Sequence, residues 1–451
     1  MKKVITYGTY DFFHFGHQRL LERAKALGDY LIVGVTADGF DRARGKINVQ
    51  QSLMERMEAV KATGIADEVI VEEYEGQKID DILRYDVDVF AIGSDWVGYF
   101  DYLKEYCQVV YLERTAGVSS SEIRAEKREL RMGIVGGGGE LNSLEKFEKE
   151  SHYVNGLQIE AVCTSEEEKS LLSKDLLSVP HVVSNYDEML NWVDSVYLIS
   201  RPQEHYTQIK KALLKGKHVL CESPIAMTVN DWSELQNIAK ERNLVLMDAI
   251  RTAYSTAYYR MLLLVKSGRI GNVVSVDASC SSLRDANLSD DELKKVWNSI
   301  CSWGPNAMLP VFQILGTEYQ SKQITSRIID EDIKYDIFSK VAFVYPHAVA
   351  SIKIGKGVKT EGELVISGTT GYIYVPAPWW KTDYFEIRRE DASLNKRYFY
   401  QLDGEGTRYE IVSFLKAIQG GKRYAYIDDN VSRAIVQVIE DYWNENNLIR
   451  I

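Results

Sequence analysis

The sequence predicts an α/β protein: two doubly wound units in succession, then a larger and predominantly antiparallel sheet. Three observations lead there. Short apolar runs alternate with helical patterns from Val4 to Leu112. The same rhythm restarts at Met132–Val135, ahead of four consecutive glycines, and continues to Met247. Beyond that point strand-like runs dominate. Strands separated by helices favour a parallel sheet covered on both faces, whereas successive strand runs favour antiparallel pairing.

In order, Val4–Tyr7 reads as a buried strand, Gly8 as a turn, and Leu20, Leu21 and Ala24 as one face of a helix. Tyr30–Val35, Val69–Val71, Val87–Ile92 and Val109–Leu112 supply four more strands. The charged stretch Glu122–Arg131 (EIRAEKRELR) is a closing helix or a linker. In the second unit the strands are Met132–Val135, Ile159–Cys163, Ser195–Ile199, His218–Leu220 and Leu244–Met247. Val273–Ala278, Ile337–Val344, Ala348–Ile354 and Gly371–Val375 belong to the last sheet. The expected divisions are 1–129, 130–250 and 251–451.

At 451 residues the chain exceeds what one core supports, roughly 250–300 residues. Hydrophobic content of 45% and charged content of 26% fit a soluble globular protein. A net charge of −11 argues against nucleic acid or an anionic membrane as partner. Small anionic ligands need only a local basic pocket. The five cysteines are odd in number and show no CxxC spacing, which suits reduced thiols in the cytoplasm. The opening MKKVITYGTYDFF breaks into Gly, Thr and Asp too early for a signal peptide, and no apolar run reaches ~18 residues, so membrane insertion is not expected.

The richest motif is GTYDFFHFGH, Gly8 to His17, at a strand-to-helix handover. A helix N-terminus offers unpaired N–H groups and the positive end of its dipole, which suits phosphate. His14 and His17 fall on one helical face. Gly16 between them permits close approach of phosphate to the backbone. Two imidazoles there can stabilise charge that develops on a phosphorus under in-line attack.

Together with Ser94-Asp95-Trp96 in IGSDW and the distal Arg114-Thr115 and Gly117–Arg124 segment, this motif resembles the glycerol-3-phosphate cytidylyltransferases of teichoic-acid synthesis. The resemblance covers residues 1 to about 128 and implies an HxGH nucleotidyltransferase with a Rossmann-like fold. It implies CTP and a polyol or ketose phosphate as substrates, with Mg²⁺ accompanying CTP. Carried over by position, His14, His17, Lys46 and Arg124 would be catalytic, with Arg44 beside Lys46 at the outer phosphates. Thr9 would line the phosphate loop and Asp11 would fix it. Arg56 matches the arginine of an internal ExR segment, and Lys78 would reach the acceptor phosphate. Asp95 and Trp96 would flank nucleotide and acceptor, Arg114 would face cytosine, and Ser119, Ser120 and Ser121 would cap a helix facing the triphosphate. The family's usual aspartate after the IG pair is Ser94 here, followed by Asp95.

From about residue 131 onward a second resemblance begins. MGIVGGGG, the segment Gly216–Pro224 (GKHVLCESP), SRPQEH at Ser200–His205 and IYVPAPWW resemble the glucose–fructose oxidoreductase and inositol dehydrogenase family. This implies a dinucleotide-binding Rossmann domain followed by an α/β sheet domain. Gly136 and Gly138 would form the pyrophosphate turn, and Glu222 would join the cofactor site. Thr164 and Ser165 stand where an acidic residue would bind a ribose hydroxyl; they favour the 2′-phosphate of NADPH or equally mean that no dinucleotide binds, with NADH still open. The family's lysine, aspartate and histidine are replaced by Ser223, Ser302 and Asn306, none of which titrates near neutrality. His205 and Tyr254, with Arg251, are the substitute reductase candidates. Two readings stay open: a bifunctional enzyme that reduces a keto-sugar precursor and then transfers cytidylyl, or a cytidylyltransferase whose second module serves binding or dimerisation. A homodimer or higher homo-oligomer is expected in either case.

Overall fold

The computed structural model describes residues 1–37, 49, 51–73, 76–113, 130–136, 141–154, 156–172, 179–381, 383–400, 402–420 and 426–451. The chain divides into two units, Met1–Lys127 and Arg128–Ile451.

Among the described residues the first unit holds one five-stranded parallel sheet in the order β3-β2-β1-β4-β5. The strands are β1 Lys3–Gly8, β2 Tyr30–Thr36, β3 Glu68–Glu72, β4 Val89–Gly93 and β5 Gln108–Leu112. Helices α1 Phe15–Lys25, α2 Leu53–Ala62 and α3 Gln77–Tyr85 connect them. The sheet is apolar on both faces. Val4 packs with Leu21, Ala24 and Val60 of α1 and α2, while Ile5 and Tyr7 pack with Ile82 of α3. Strand order reverses around β1, so the ends of β1 and β4 splay apart and open a crevice at their carboxyl side. GTYDFFHFGH lies at that reversal.

Two local devices fix the helices beside the crevice. Ser52 and Glu55 form a capping box: Ser52 Oγ accepts from the Glu55 amide at 3.3 Å and Glu55 Oε2 accepts from the Ser52 amide at 2.7 Å. Gly34 has no Cβ because one would sit 2.2 Å from the Tyr7 ring. The ring therefore crosses β2 directly, and Tyr7 Oη donates to Asp81 of α3 at 2.8 Å.

In the second unit the described residues form two sheets. The first is six-stranded and parallel, in the order β11-β10-β9-β6-β7-β8. Its strands are β6 Leu130–Gly136, β7 Leu157–Cys163, β8 His181–Val183, β9 Ser195–Ile199, β10 His218–Glu222 and β11 Leu246–Ala249. Helices α4 Leu141–Ser151, α5 Pro202–Leu214 and α6 Val229–Glu241 pack on it. The second sheet is nine-stranded, in the order β19-β18-β17-β16-β12-β15-β14-β13-β20. It comprises β12 Val273–Ser281, β13 Ser321–Asp330, β14 Tyr335–Val344, β15 Val349–Gly355, β16 Leu364–Gly368, β17 Gly371–Val375, β18 Tyr384–Arg388, β19 Lys396–Phe399 and β20 Leu448–Arg450. Pairing is antiparallel except β12 with β15 and β13 with β20. Later helices of the unit include α7 Gly304–Leu315, α8 Thr407–Gly420 and α9 Asp429–Trp443. Helix α9 packs on α6: the Trp232 indole N–H donates to Ser432 Oγ at 2.9 Å, and Glu440 Oε2 accepts from the Val229 amide at 3.0 Å.

The five cysteines are free thiols, four of them buried. Among the described residues no helix is long and apolar enough to cross a membrane.

Candidate active site and dinucleotide site

The first site is built where β1 hands over to α1. His14 is the N-cap of α1, and its Nδ1 accepts from the Gly16 amide at 3.0 Å. That acceptor role leaves the proton of a neutral His14 ring on Nε2, so Nε2–H is the available donor. His17 follows in the first turn. The two imidazoles stack with centroids 3.9 Å apart and 20° between planes. Tyr10 and Phe13 border His17 at 5.4 and 5.6 Å. Tyr10 and Phe12 both hold positive φ, 55° and 48°, a strained state for non-glycine residues that persists only where the surroundings over-determine it.

The over-determination is visible. Asp11 is buried, and its Oδ1 accepts from the Gln51 amide at 3.0 Å, while Gln51 Oε1 accepts from the Phe12 amide at 2.6 Å. The resemblance counts Arg56 among the substrate-binding residues; its described contacts are with the backbone of its own chain. It is 0% exposed. Its Nη1 donates to the carbonyls of Thr9 at 2.7 Å and Thr36 at 2.8 Å, and its Nε donates to that of Gln51 at 3.1 Å. Arg56 is thus a clamp on the phosphate loop, acting through Thr9. The sequence reading missed Gln51, its partner in that task.

Lys78 lies in the first turn of α3, buried, with its ammonium ion-paired to Glu72 at the end of β3. The ammonium also stands 4.6 Å from the Tyr7 ring and 5.4 Å from the Phe100 ring. Glu72 in addition accepts from Thr36 Oγ1 at 2.9 Å. The lysine expected at an acceptor phosphate is therefore already neutralised by a carboxylate the sequence reading overlooked. Glu72 is one of several acids flanking the apolar run Val69–Val71, with Glu68 before it and Glu73 after, so the sequence does not single it out. Trp96 follows β4 and packs against Tyr99 and Phe100 at 5.3 and 5.7 Å. Burial, then Asp81, raises the Tyr7 phenol far above its ordinary pKa, so it stays a neutral donor. Arg44, Lys46, Arg114, Ser119, Ser120, Ser121 and Arg124, and the side chain of Asp95, lie outside the described residues.

The second site follows β6. Gly136 ends that strand, and a Cβ there would meet Leu144 Cδ1 of α4 at 2.2 Å; this is the close strand–helix packing that a dinucleotide turn requires. Gly138 lies outside the described residues. Glu222 ends β10, and its Oε1 accepts from Tyr197 Oη at 2.6 Å. Thr164 and Ser165 follow β7, but their hydroxyls are engaged within the chain. Both donate to Glu168 Oε2, at 2.7 and 3.3 Å, so they are not the open phosphate receptors expected of them.

Neither substitute proton donor is placed for that role. His205 is 0% exposed, with Nδ1 2.8 Å from the Pro224 carbonyl and Nε2 2.7 Å from that of Ser200. It brackets the loops after β9 and β10, and burial lowers its pKa. Tyr254 is buried and its Oη donates to the Asp248 carbonyl at 2.7 Å. Burial, followed by Glu410 and Asp248, raises its pKa far upward. Asn306 Oδ1 accepts from Thr252 Oγ1 at 3.1 Å, and Ser223 is buried.

Glu410, which the sequence reading also missed, is 0% exposed, and neither carboxyl oxygen has a hydrogen-bond partner among the described residues. Burial and then Glu222 push its pKa well up, against the pull of Arg251. The folded state therefore retains a proton that the unfolded chain releases above its ordinary carboxyl pKa of about 4.3. Stability from this group is complete at acid pH and declines as pH rises. Glu410→Gln is expected to raise the melting temperature of the second unit at pH 8, by roughly 2–4 °C for each kcal/mol recovered, and to leave it unchanged at pH 4. An equal shift at both pH values rules out this origin.

A strand–turn–helix with paired histidines at the helix start defines a nucleotidyltransferase of the HxGH class. A family model described as cytidylyltransferase-like matches residues 5–126, and a second, for the oxidoreductase family with an NAD-binding Rossmann fold, matches residues 130–249. The glycerol-3-phosphate cytidylyltransferase of Bacillus spizizenii is 51% identical over 130 residues, 29% of this chain and 100% of that protein. Through its first unit the chain belongs to the cytidylyltransferase family, and its second unit carries an oxidoreductase-family module. Among solved structures, a 3-ketoreductase from Actinomadura kijaniata in complex with NADP and TDP-benzene has a TM-score of 0.61 at 17% identity, covering 72% of this chain and 100% of that one. A levoglucosan dehydrogenase in complex with NADH and levoglucosan has a TM-score of 0.59 at 16% identity, covering 71% and 97%. These two likenesses establish the fold of the second unit.

Proposed function

We propose that the first unit, as residues 1–129, transfers cytidylyl from CTP to the phosphate of a small polyol, giving a CDP-polyol and pyrophosphate. The stacked His14–His17 pair at the start of α1 carries this reading. An acceptor phosphate oxygen forms a bond to the α-phosphorus of CTP as the bond from that phosphorus to the β-phosphate bridge breaks. The imidazole donors and the amides of the helix start face the charge that builds on the α-phosphate oxygens. CTP would enter with Mg²⁺, held partly by the nucleotide's own oxygens. Lys46 and Arg124 join the histidines at the phosphates, and Arg114 faces cytosine. The reaction is placed in the cytoplasm, its product feeds a teichoic-type or capsular polymer, and the chain works as a homodimer or higher oligomer.

Residues 130–250 are proposed to bind a nicotinamide dinucleotide, with Gly136 and Glu222 in the site, and 251–451 to complete a module that reduces the keto precursor of the polyol. Bound dinucleotide supplies the hydride. A second reading, binding without turnover, is favoured by Ser223, Ser302 and Asn306 at the family's proton-handling positions and by the sequestered His205 and Tyr254. Oxidation of reduced dinucleotide with a panel of ketose phosphates separates the two.

The transfer itself is tested by incubating the full chain with CTP and glycerol, ribitol, arabinitol or mannitol phosphate. At least one polyol phosphate is expected to release pyrophosphate in step with CDP-polyol. Release from none of these phosphates overturns the reading.

A further inference from the structure

We propose that Glu168 makes the second unit select NADH over NADPH; this rests on the reading that the unit binds a nicotinamide dinucleotide. Strand β7 lies beside β6 in the parallel sheet, and Gly136 at the end of β6 gives the close strand–helix packing of a dinucleotide turn. In such a sheet the adenosine ribose lies over the end of the strand next to the glycine turn, and the group standing there reads the 2′ position. The residues immediately after β7 are Thr164 and Ser165, neither of them acidic. The chain supplies the acid from further on. A short helical turn, Glu166–Lys169, folds Glu168 back onto the strand end.

The folded-back carboxylate is held from both sides. Thr164 is anchored by its amide to the Val183 carbonyl at 3.1 Å, and its Oγ1 donates to Glu168 Oε2 at 2.7 Å. Ser165 Oγ donates to the same oxygen at 3.3 Å and caps the turn by accepting from the Glu168 amide at 3.2 Å. Oε1 takes no hydrogen bond among the described residues, which leaves it to accept from a ribose 2′-hydroxyl. A 2′-phosphate at that point carries two negative charges toward a carboxylate, and like charges at contact distance repel strongly. Lys169, the neighbouring cation, is turned to Glu166 at 2.6 Å. Two hydroxyls that would welcome a phosphate in isolation are thus converted into the mount for an acid that excludes it.

Titration of the full chain with NADH and with NADPH, followed by nicotinamide fluorescence, tests this without any turnover. NADH is expected to bind at least about tenfold more tightly. Glu168→Gln keeps the shape and removes the charge. It is expected to narrow the ratio at least about fivefold, mainly by tightening NADPH. Because Glu168 is half-exposed in a four-residue turn, the variant retains the fold. NADPH binding as tightly as NADH in the wild-type chain, or an unchanged ratio in Glu168→Gln, overturns the assignment while the dinucleotide reading stands. Binding of neither nucleotide sinks the dinucleotide reading and this inference with it.

Discussion

His17→Ala is expected to lower CTP-dependent pyrophosphate release at least ~100-fold while leaving the first unit folded. The magnitude is that of losing one preorganised donor to a developing phosphate charge, about 2.7–4 kcal/mol. The ring is half-buried, with the Tyr10 ring edge-on to it, the Phe13 ring tilted and the His14 ring stacked, so truncation removes little core. The loss should appear in kcat with the CTP KM changed little, because the donor acts on charge absent from the ground state. His14→Ala removes in addition the acceptor that caps the Gly16 amide, so it should cost activity and about 1 kcal/mol of stability together. A His17→Ala enzyme with more than a tenth of the wild-type rate would remove His17 from the chemistry.

Most strands of the two parallel sheets were legible because they are short apolar runs. Val4–Tyr7 and Ser195–Ile199 are examples, and local composition alone marks them. Strand β8, only three partly buried residues, His181–Val183, was not legible. In the last sheet β13, with the sequence SKQITSRIID, buries Ile324 and Ser326 and leaves its other face polar, so it offers no apolar run to read. The same holds for β19, KRYF. At the site, HxGH was legible because the motif is local, its histidines three residues apart at a strand-to-helix handover. What escaped was everything that depends on tertiary pairing. Arg56 has the same letter whether it meets phosphate or three carbonyls, and only the fold brings Thr9, Thr36 and Gln51 around it. Thr164 and Ser165 look like phosphate ligands until Glu168 is seen to occupy their hydroxyls. Lys78 looks like a free cation until Glu72, six residues earlier, is placed at its ammonium.

Arg56→Ala is expected to destabilise the first unit by at least about 3 kcal/mol and to disorganise the phosphate loop. Three carbonyl acceptors lose their donor at once, and each buried acceptor left unpaired costs about 1–3 kcal/mol. The three belong to different segments: Thr9 in the loop after β1, Thr36 at the end of β2, and Gln51 just before the cap of α2. One guanidinium therefore holds the strained Tyr10–Phe12 turn against two neighbouring elements, which a point cation cannot do with the same geometry. Arg56→Lys should restore part of the stability and little of the rate. The kinetic signature separates this role from substrate contact. A clamp variant measured below its melting transition should show a reduced kcat with the KM for acceptor near the wild-type value, together with a lowered melting temperature. An Arg56→Ala chain that melts like the wild type but needs far more CTP or acceptor would return Arg56 to the substrate.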